Sequence, residues 1–234
     1  MSAKDPNALW RVVHSLCVMD IKVNGIPAPC SAVDLHRGYA VLNDIGHATQ
    51  LLLIPTDRVS GIEDPKLLAP SSVNYWQAAW DARRLFEVRI GRLVPREDIG
   101  LAVNSAFGRS QNQLHIHIDC VRTDVQQVLR VNEERIGFRW SSLAVALVGR
   151  HYRVMRIQGA DLGSRDPFRL LAGGDAIAHA DMGRETLVVI GYSTSNDKPG
   201  FILLSHRAES TTFDRAHGED LLDHKCETLV PHAQ

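Results

Sequence analysis

An α+β fold, an antiparallel sheet with flanking helices, is the fold class this sequence predicts. Three observations carry it. Short apolar runs bounded by turn residues recur along all 234 residues, interrupted by stretches of helical spacing. Neighbouring runs lie as close as hairpin partners, which favours antiparallel pairing. The segment Gln113-Leu114-His115-Ile116-His117-Ile118-Asp119 alternates strictly between polar and apolar residues, the pattern of a strand with one buried face.

In chain order, residues 8–16 read as a short helix and 18–29 as a segment rich in turn formers. Residues 38–43 (GYAVLN) and 50–54 (QLLLI) read as strands, the second ended by Pro55. Ser71 or Ser72 is placed to cap a helix running to about Ile90, with Val73, Trp76, Ala79, Trp80 and Phe86 at roughly helical spacing. A short strand over 100–104 and a loop over 105–112 lead into the histidine strand. Thr123 and Asp124 then cap a helix that ends before Gly137. In the second half, 143–148 (LAVALV), 152–157 (YRVMRI), 186–192 (TLVVIGY) and 200–205 (GFILLS) read as strands. A helical stretch is expected between Pro167 and Arg184, and a last helix from about Glu219 to Cys226. Residues 1–234 are read as a single domain. Its halves, 1–137 and 138–234, have similar element content, which suggests a duplicated architecture, although they do not align residue by residue.

Composition narrows the function classes. A hydrophobic fraction of 44% supports a sizeable core without staples, and 26 basic against 27 acidic residues give nothing that points to nucleic acid. No apolar run approaches the roughly 20 residues of a membrane helix. The start, Met1 to Pro6, lacks the apolar centre of a signal peptide. The chain is therefore expected to be cytosolic, or to derive from a protein whose anchor or signal was removed. None of the four cysteines forms a C-x-x-C pair, which argues against a structural zinc site. Cys17 and Cys30 are close enough for a disulfide worth roughly 3 kcal/mol, and that pair keeps an oxidising compartment open. Cys120 alternates onto the buried face and reads as a small core residue.

Gln113, His115, His117 and Asp119 share the other face of that strand, where two imidazoles are costly to place without a reason. Three chemistries compete for them. H-x-H-x-D begins some binuclear metallo-hydrolase sites, but Cys120 stands where the next histidine is usual, and the other histidines carry no ligand spacing. A solvated sheet face is the bland alternative. The third is nucleophilic attack on phosphorus by a neutral imidazole, which splits one hard displacement into two. It needs donors for phosphate oxygens; Asn104, Arg109, Ser110, Gln113 and the backbone around Gly108 are candidates.

The segment resembles the histidine-triad (HIT) nucleotide hydrolases and transferases, whose motif is His-φ-His-φ-His-φ-φ. Gln113, His115 and His117 fall on the triad positions. The resemblance implies His115 as nucleophile, Ser110 and Asn104 as phosphate contacts, and Asp44 as the acidic residue for ribose hydroxyls. Leu52-Leu53-Ile54-Pro55 matches the family's φ-φ-Ile-Pro strand. Gln113 stands for the first histidine and Arg58 for one that often follows the Ile-Pro strand. Both departures fit a narrower resemblance, to the CDP-diacylglycerol pyrophosphatases. Its matching stretches are Leu9-Trp10 with Cys17, Pro27-Ala28-Pro29-Cys30, Gly38-Tyr39, Pro55-Thr56, Trp76 to Arg83, and Gly108-Arg109-Ser110-Gln111-Asn112 running into His115 to Cys120, with Asp223-His224-Lys225-Cys226 near the end.

That resemblance implies a HIT-like sheet and hydrolysis of CDP-diacylglycerol to CMP and phosphatidate through a nucleotidyl-histidine. His115 would attack, while His117 binds a phosphate oxygen or orients the site. Arg109 would bind phosphate and Arg58 neutralise the leaving phosphate. No metal or other cofactor is implied. A lipid substrate implies a membrane surface as partner. It also implies inner-membrane association if a native anchor was removed, on the periplasmic side if Cys17–Cys30 is oxidised. Tyr75, Trp76 and Trp80 are candidates to line an apolar groove, though at helical spacing such residues are more often core. Asp119, at the strand end, reads as surface. The alternatives left open are a HIT-like enzyme for another nucleoside diphosphate ester, an H-x-H-x-D metallo-hydrolase and a non-catalytic nucleotide-binding module.

Overall fold

The computed structural model describes residues 5–194 and 196–227. Ten strands form one antiparallel sheet: β1 (Ala32–Asp34), β2 (Tyr39–Asn43), β3 (Leu51–Pro55), β4 (Ile99–Val103), β5 (Ile116–Val121), β6 (Ser141–Ser142), β7 (Arg153–Gln158), β8 (Glu185–Ser193), β9 (Pro199–Arg207) and β10 (Leu222–Asp223). Their order is β1-β2-β3-β5-β4-β8-β9-β7-β6, with β10 paired to β5. Read outward from the central β4–β8 pair, the order repeats: β4-β5-β3-β2 on one side, β8-β9-β7-β6 on the other.

The helices are α1 (Ala8–Arg11), which continues through a π-helical stretch, Val12–Cys17, into α2 (Val18–Asn24), then α3 (Tyr75–Ile90), α4 (Thr123–Val131), α5 (Pro167–Gly174) and α6 (Ala176–Ala180). Gly25, at φ 71°, ends α2 in the left-handed conformation that glycine adopts without steric cost. The turn-rich reading of 18–29 thus holds only from there on. Asn74, not Ser71 or Ser72, caps α3 by accepting from the Gln77 amide.

Two expected elements differ. Residues 143–148 are not a strand: only Leu147 makes an isolated bridge, to Arg150, and Leu143 and Leu147 serve as core plugs. The expected last helix is a single 3-10 turn, Gly218–Leu221, followed by β10. β10 pairs Leu222 with Val121 and Asp223 with Cys120, so sheet pairing overrode helical propensity.

One sheet face carries the main core. Ile116, Ile118, Leu101, Val189 and Leu203 pack under α3 and α5, and Trp76, Trp80 and Phe168 are fully buried there. The other face is covered in two patches. The N-terminal helix lies over Ala40, Leu52 and Ile54. Val125 and Leu129 of α4, with Ile136, Leu143 and Leu147, lie over Val188, Ile190, Ile202 and Leu204. The two patches leave an uncovered gap above β5.

Strand register decides what fills that gap. One cross-strand row on this face reads Leu42, Leu52, His117, Ala102, Val188, Leu204, Val154. His117 is the single titratable side chain in it. β9 stands where β5 does in the repeated order; on this face its Ile202 and Leu204 are buried and apolar, and His206 follows at the end of the strand.

Candidate active site

The gap is a cleft of about 550 Å³. Its floor is His115 and His117. One wall is Ala8, Leu9 and Val12 with Leu42 and Leu52. The rim is formed by Asp44 and His47, by Gly108, Ser110 and Gln111, and by Asn104, His217 and Glu219. Of the residues singled out from sequence, His115, His117, Asn104, Ser110 and Asp44 meet here.

His115 Nδ1 lies 2.7 Å from the carbonyl oxygen of Gln113. A carbonyl only accepts, so Nδ1 carries the proton and Nε2 holds the lone pair. Burial pushes the His115 pKa below that of a free imidazole, so the ring is neutral near pH 7. The His117 ring lies 5.0 Å away, edge-on. His117 Nδ1 is 3.0 Å from Gln50 Oε1 and 3.4 Å from Glu219 Oε2. Its Nε2 is buried and has no partner among the described residues. Burial lowers the His117 pKa to about 4.

Glu219 arrives from the turn before β10. Burial works against its charge, but the nearby His117 and hydrogen bonds from His217 and Asn104 hold the carboxyl well below the usual carboxylate range. Asn104 is engaged at both ends of its amide: Nδ2 donates to Glu219 Oε1 at 2.7 Å, and Oδ1 accepts from the Gly218 amide at 2.8 Å. Its primary role is thus to cap the turn that presents Glu219. Gly108 allows the loop to approach this segment closely, since a Cβ there would sit 2.9 Å from the Arg215 carbonyl oxygen. The Gly108 and Arg109 amides donate to the Ser105 carbonyl and are not free for phosphate.

Behind the cleft lies a second layer that sequence reading missed. Asp119 is fully buried rather than on the surface. It accepts from Thr49 Oγ1 at 2.7 Å, from the Cys120 amide at 3.0 Å and from His224 Nδ1 at 2.9 Å. Burial raises the Asp119 pKa, whereas the hydrogen bond to Asp119 raises that of His224. Gln50 lies between His117 and His224, its Nε2 3.1 Å from His224 Nδ1. The His224 ring lies tilted against that of His47, with ring centroids 4.0 Å apart, and His47 Nδ1 lies 2.8 Å from Asp44. Cys120 is no mere core filler: it forms a disulfide with Cys226, next to His224. Cys17 and Cys30 form the second disulfide.

Three expected phosphate ligands are placed elsewhere. Gln113 is fully buried and donates to the Pro55 and Asp57 carbonyls at 3.0 and 2.8 Å. It braces the chain after β3. Arg109 grips Glu63 with both guanidinium ends, at 2.5 and 2.7 Å. Arg58 bonds Asn7 Oδ1 and lies over the Trp10 ring, 5.5 Å from its centroid. Tyr75, Trp76 and Trp80 are buried in the core under α3, on the sheet face away from the cleft.

A family model described as CDP-diacylglycerol pyrophosphatase matches residues 4–230. The chain belongs to the CDP-diacylglycerol pyrophosphatase family. A CDP-diacylglycerol pyrophosphatase of Yersinia pestis is 38% identical over 226 residues, covering 97% of this chain and 86% of that protein. The match runs through both halves of the sheet, so the family pattern includes the C-terminal segment carrying His217, Glu219 and His224. In CDP-diacylglycerol pyrophosphatase terms the chain is a hydrolase of a phosphoric anhydride. Among the described residues no helix is long and apolar enough to cross a membrane.

Proposed function

We propose that the protein hydrolyses CDP-diacylglycerol to CMP and phosphatidate through a nucleotidyl-histidine on His115, as in HIT-type enzymes. The observation that carries this reading is the His115–Gln113 hydrogen bond. It fixes the proton on Nδ1 and leaves Nε2 as a neutral lone pair in the cleft.

In the first step His115 Nε2 bonds to the cytidylyl phosphorus. The P–O bond to phosphatidate breaks, and its electron pair leaves on the phosphatidate oxygen. Phosphatidate is a phosphate monoester and leaves with little acid assistance. In the second step a water oxygen attacks the same phosphorus and the P–N bond returns its pair to Nε2. His117 Nε2, neutral and unpartnered, takes the water proton. Asp44 and Ser110 both line the cleft, which supports Asp44 as acceptor for the ribose hydroxyls and Ser110 as donor to a phosphate oxygen. The substrate is a membrane lipid, so the working partner is a membrane surface. Two disulfides suit an oxidising compartment such as the periplasm.

The test is CMP release from detergent-dispersed CDP-diacylglycerol with excess EDTA present. The parent protein is expected to release CMP rapidly and His115→Asn not to. A requirement for added zinc or manganese, or undiminished turnover by His115→Asn, contradicts the mechanism.

A further inference from the structure

A diphosphate diester carries a negative charge on each phosphorus, and the cleft holds little to meet them. Its carboxylates are Asp44 and Glu219, and among the described residues that line it there is no Lys or Arg. Glu63 holds Arg109, Asn7 holds Arg58, and neither arginine lines the cleft. A phosphate leaving in front of two carboxylates is disfavoured unless a cation stands beside it. The histidines are what is left to supply one. His115 and His117, on the floor, are neutral because they are buried. His47 gives its Nδ1 to Asp44. His217 remains, on the rim.

Glu219 stands between two imidazoles. Its Oε2 is 3.4 Å from His117 Nδ1 and its Oε1 3.8 Å from His217 Nδ1. The two rings have opposite fates. Burial brings the His117 pKa down to about 4. His217 is only partly buried; pairing with Glu219 raises its pKa and Asp220 adds to this, against partial burial and Arg150. Arg150 is itself held by Asp214 and Asp220. Two titratable groups driven apart in one site mark a base and a cationic donor. Gly108 leaves room for the His217 ring, since a Cβ there would lie 3.3 Å from its Nδ1. No described residue bonds His217 Nε2.

We infer that His217 is a further catalytic residue, whose imidazolium meets the phosphate of the departing phosphatidate while His117 serves the water step. The inference rests on the CDP-diacylglycerol reading above. In an in-line displacement the leaving oxygen points away from His115 Nε2, so it departs from the floor toward the rim. When the P–O bond breaks, that oxygen keeps the electron pair and phosphatidate gains one negative charge. A hydrogen bond from His217 Nε2–H offsets that charge, and no proton has to transfer. This is the role that sequence position suggested for Arg58.

The experiment is the pH profile of kcat/KM for CMP release from detergent-dispersed CDP-diacylglycerol by the parent, His217→Gln and His217→Arg. In the parent, activity is expected to fall as pH rises through the His217 pKa, which lies above 6.5. At pH 6, His217→Gln is expected to be about a hundredfold slower and to lack that basic limb. His217→Arg keeps a cation at every pH, so it recovers at least about tenfold over His217→Gln and also lacks the limb. Circular dichroism and Tm check the fold, and if His217→Gln unfolds, the Arg profile decides. A parent without a basic limb overturns the inference. So does a limb that persists in either variant, a His217→Gln rate equal to the parent's, or an Arg variant no faster than a folded Gln variant. Failure of the parent to release CMP at any pH refutes the functional reading itself, a separate outcome.

Discussion

His117 and Glu219 lie 3.4 Å apart although 102 residues separate them in sequence, because β10 and the Cys120–Cys226 disulfide fold the C-terminal segment back onto the histidine strand. The carboxylate sits beside Nδ1, so it holds the proton on that nitrogen and leaves Nε2 toward the reaction. Replacing the charge in Glu219→Gln is expected to lower kcat about ten- to a hundredfold with a smaller change in KM. A fall in affinity alone would assign Glu219 to substrate binding instead.

The disulfide that brings them together should matter to both stability and rate. Cys120–Cys226 closes a separation of 106 residues and Cys17–Cys30 one of 13, worth about 5 and 3 kcal/mol on loop-closure grounds. Cys226→Ser is expected to lower Tm more than Cys30→Ser. It should also reduce kcat, because His224 and Glu219 lose their tether. Thermal melts and steady-state rates of the two variants check this.

Burial of His117 has a pH signature. Its native pKa, about 4, lies below the unfolded value of 6.5, so between these values the unfolded chain binds the proton first. Stability therefore falls as pH drops from about 6.5 to about 4. His117→Asn should flatten that slope in a series of melts. Because burial also lowers the His115 pKa, the acid limb of kcat is expected below the usual imidazole range.

Arg109 tests sequence reading against structure. Its position in the loop before the histidine strand suits a phosphate ligand, yet Glu63 holds it bidentately and the side chain is nearly buried. Arg109→Ala is expected to cost about 1–3 kcal/mol of stability by leaving the half-buried Glu63 carboxylate without its cation, and to change KM by less than about twofold. Unfolding curves set beside initial rates separate the two roles.

The strictly alternating residues 113–119 make the sheet and the histidine floor of the cleft legible, although both faces of that strand are buried. Local pattern could not show what register and disulfides bring from afar. Glu219 opens a stretch that reads as helix, His217 lies just before it, and neither carries a motif. Gln50 reads as the start of an apolar strand, although continuing the β3–β5 register sets it opposite Asp119. Asp119 reads as a strand-end surface residue because its partners, Thr49 and His224, are distant in sequence. Arg58 and Arg109 suit phosphate by charge and position. Asn7 and Glu63, which hold them, are visible only in three dimensions.

The central claim is two displacements at the cytidylyl phosphorus. It is tested most directly by the stereochemical course of hydrolysis of CDP-diacylglycerol made chiral at that phosphorus with sulfur, in ¹⁸O-labelled water. A nucleotidyl-His115 intermediate inverts the phosphorus twice, so the account predicts net retention in the thio-CMP released. Net inversion would mean that water attacks directly, and would contradict it.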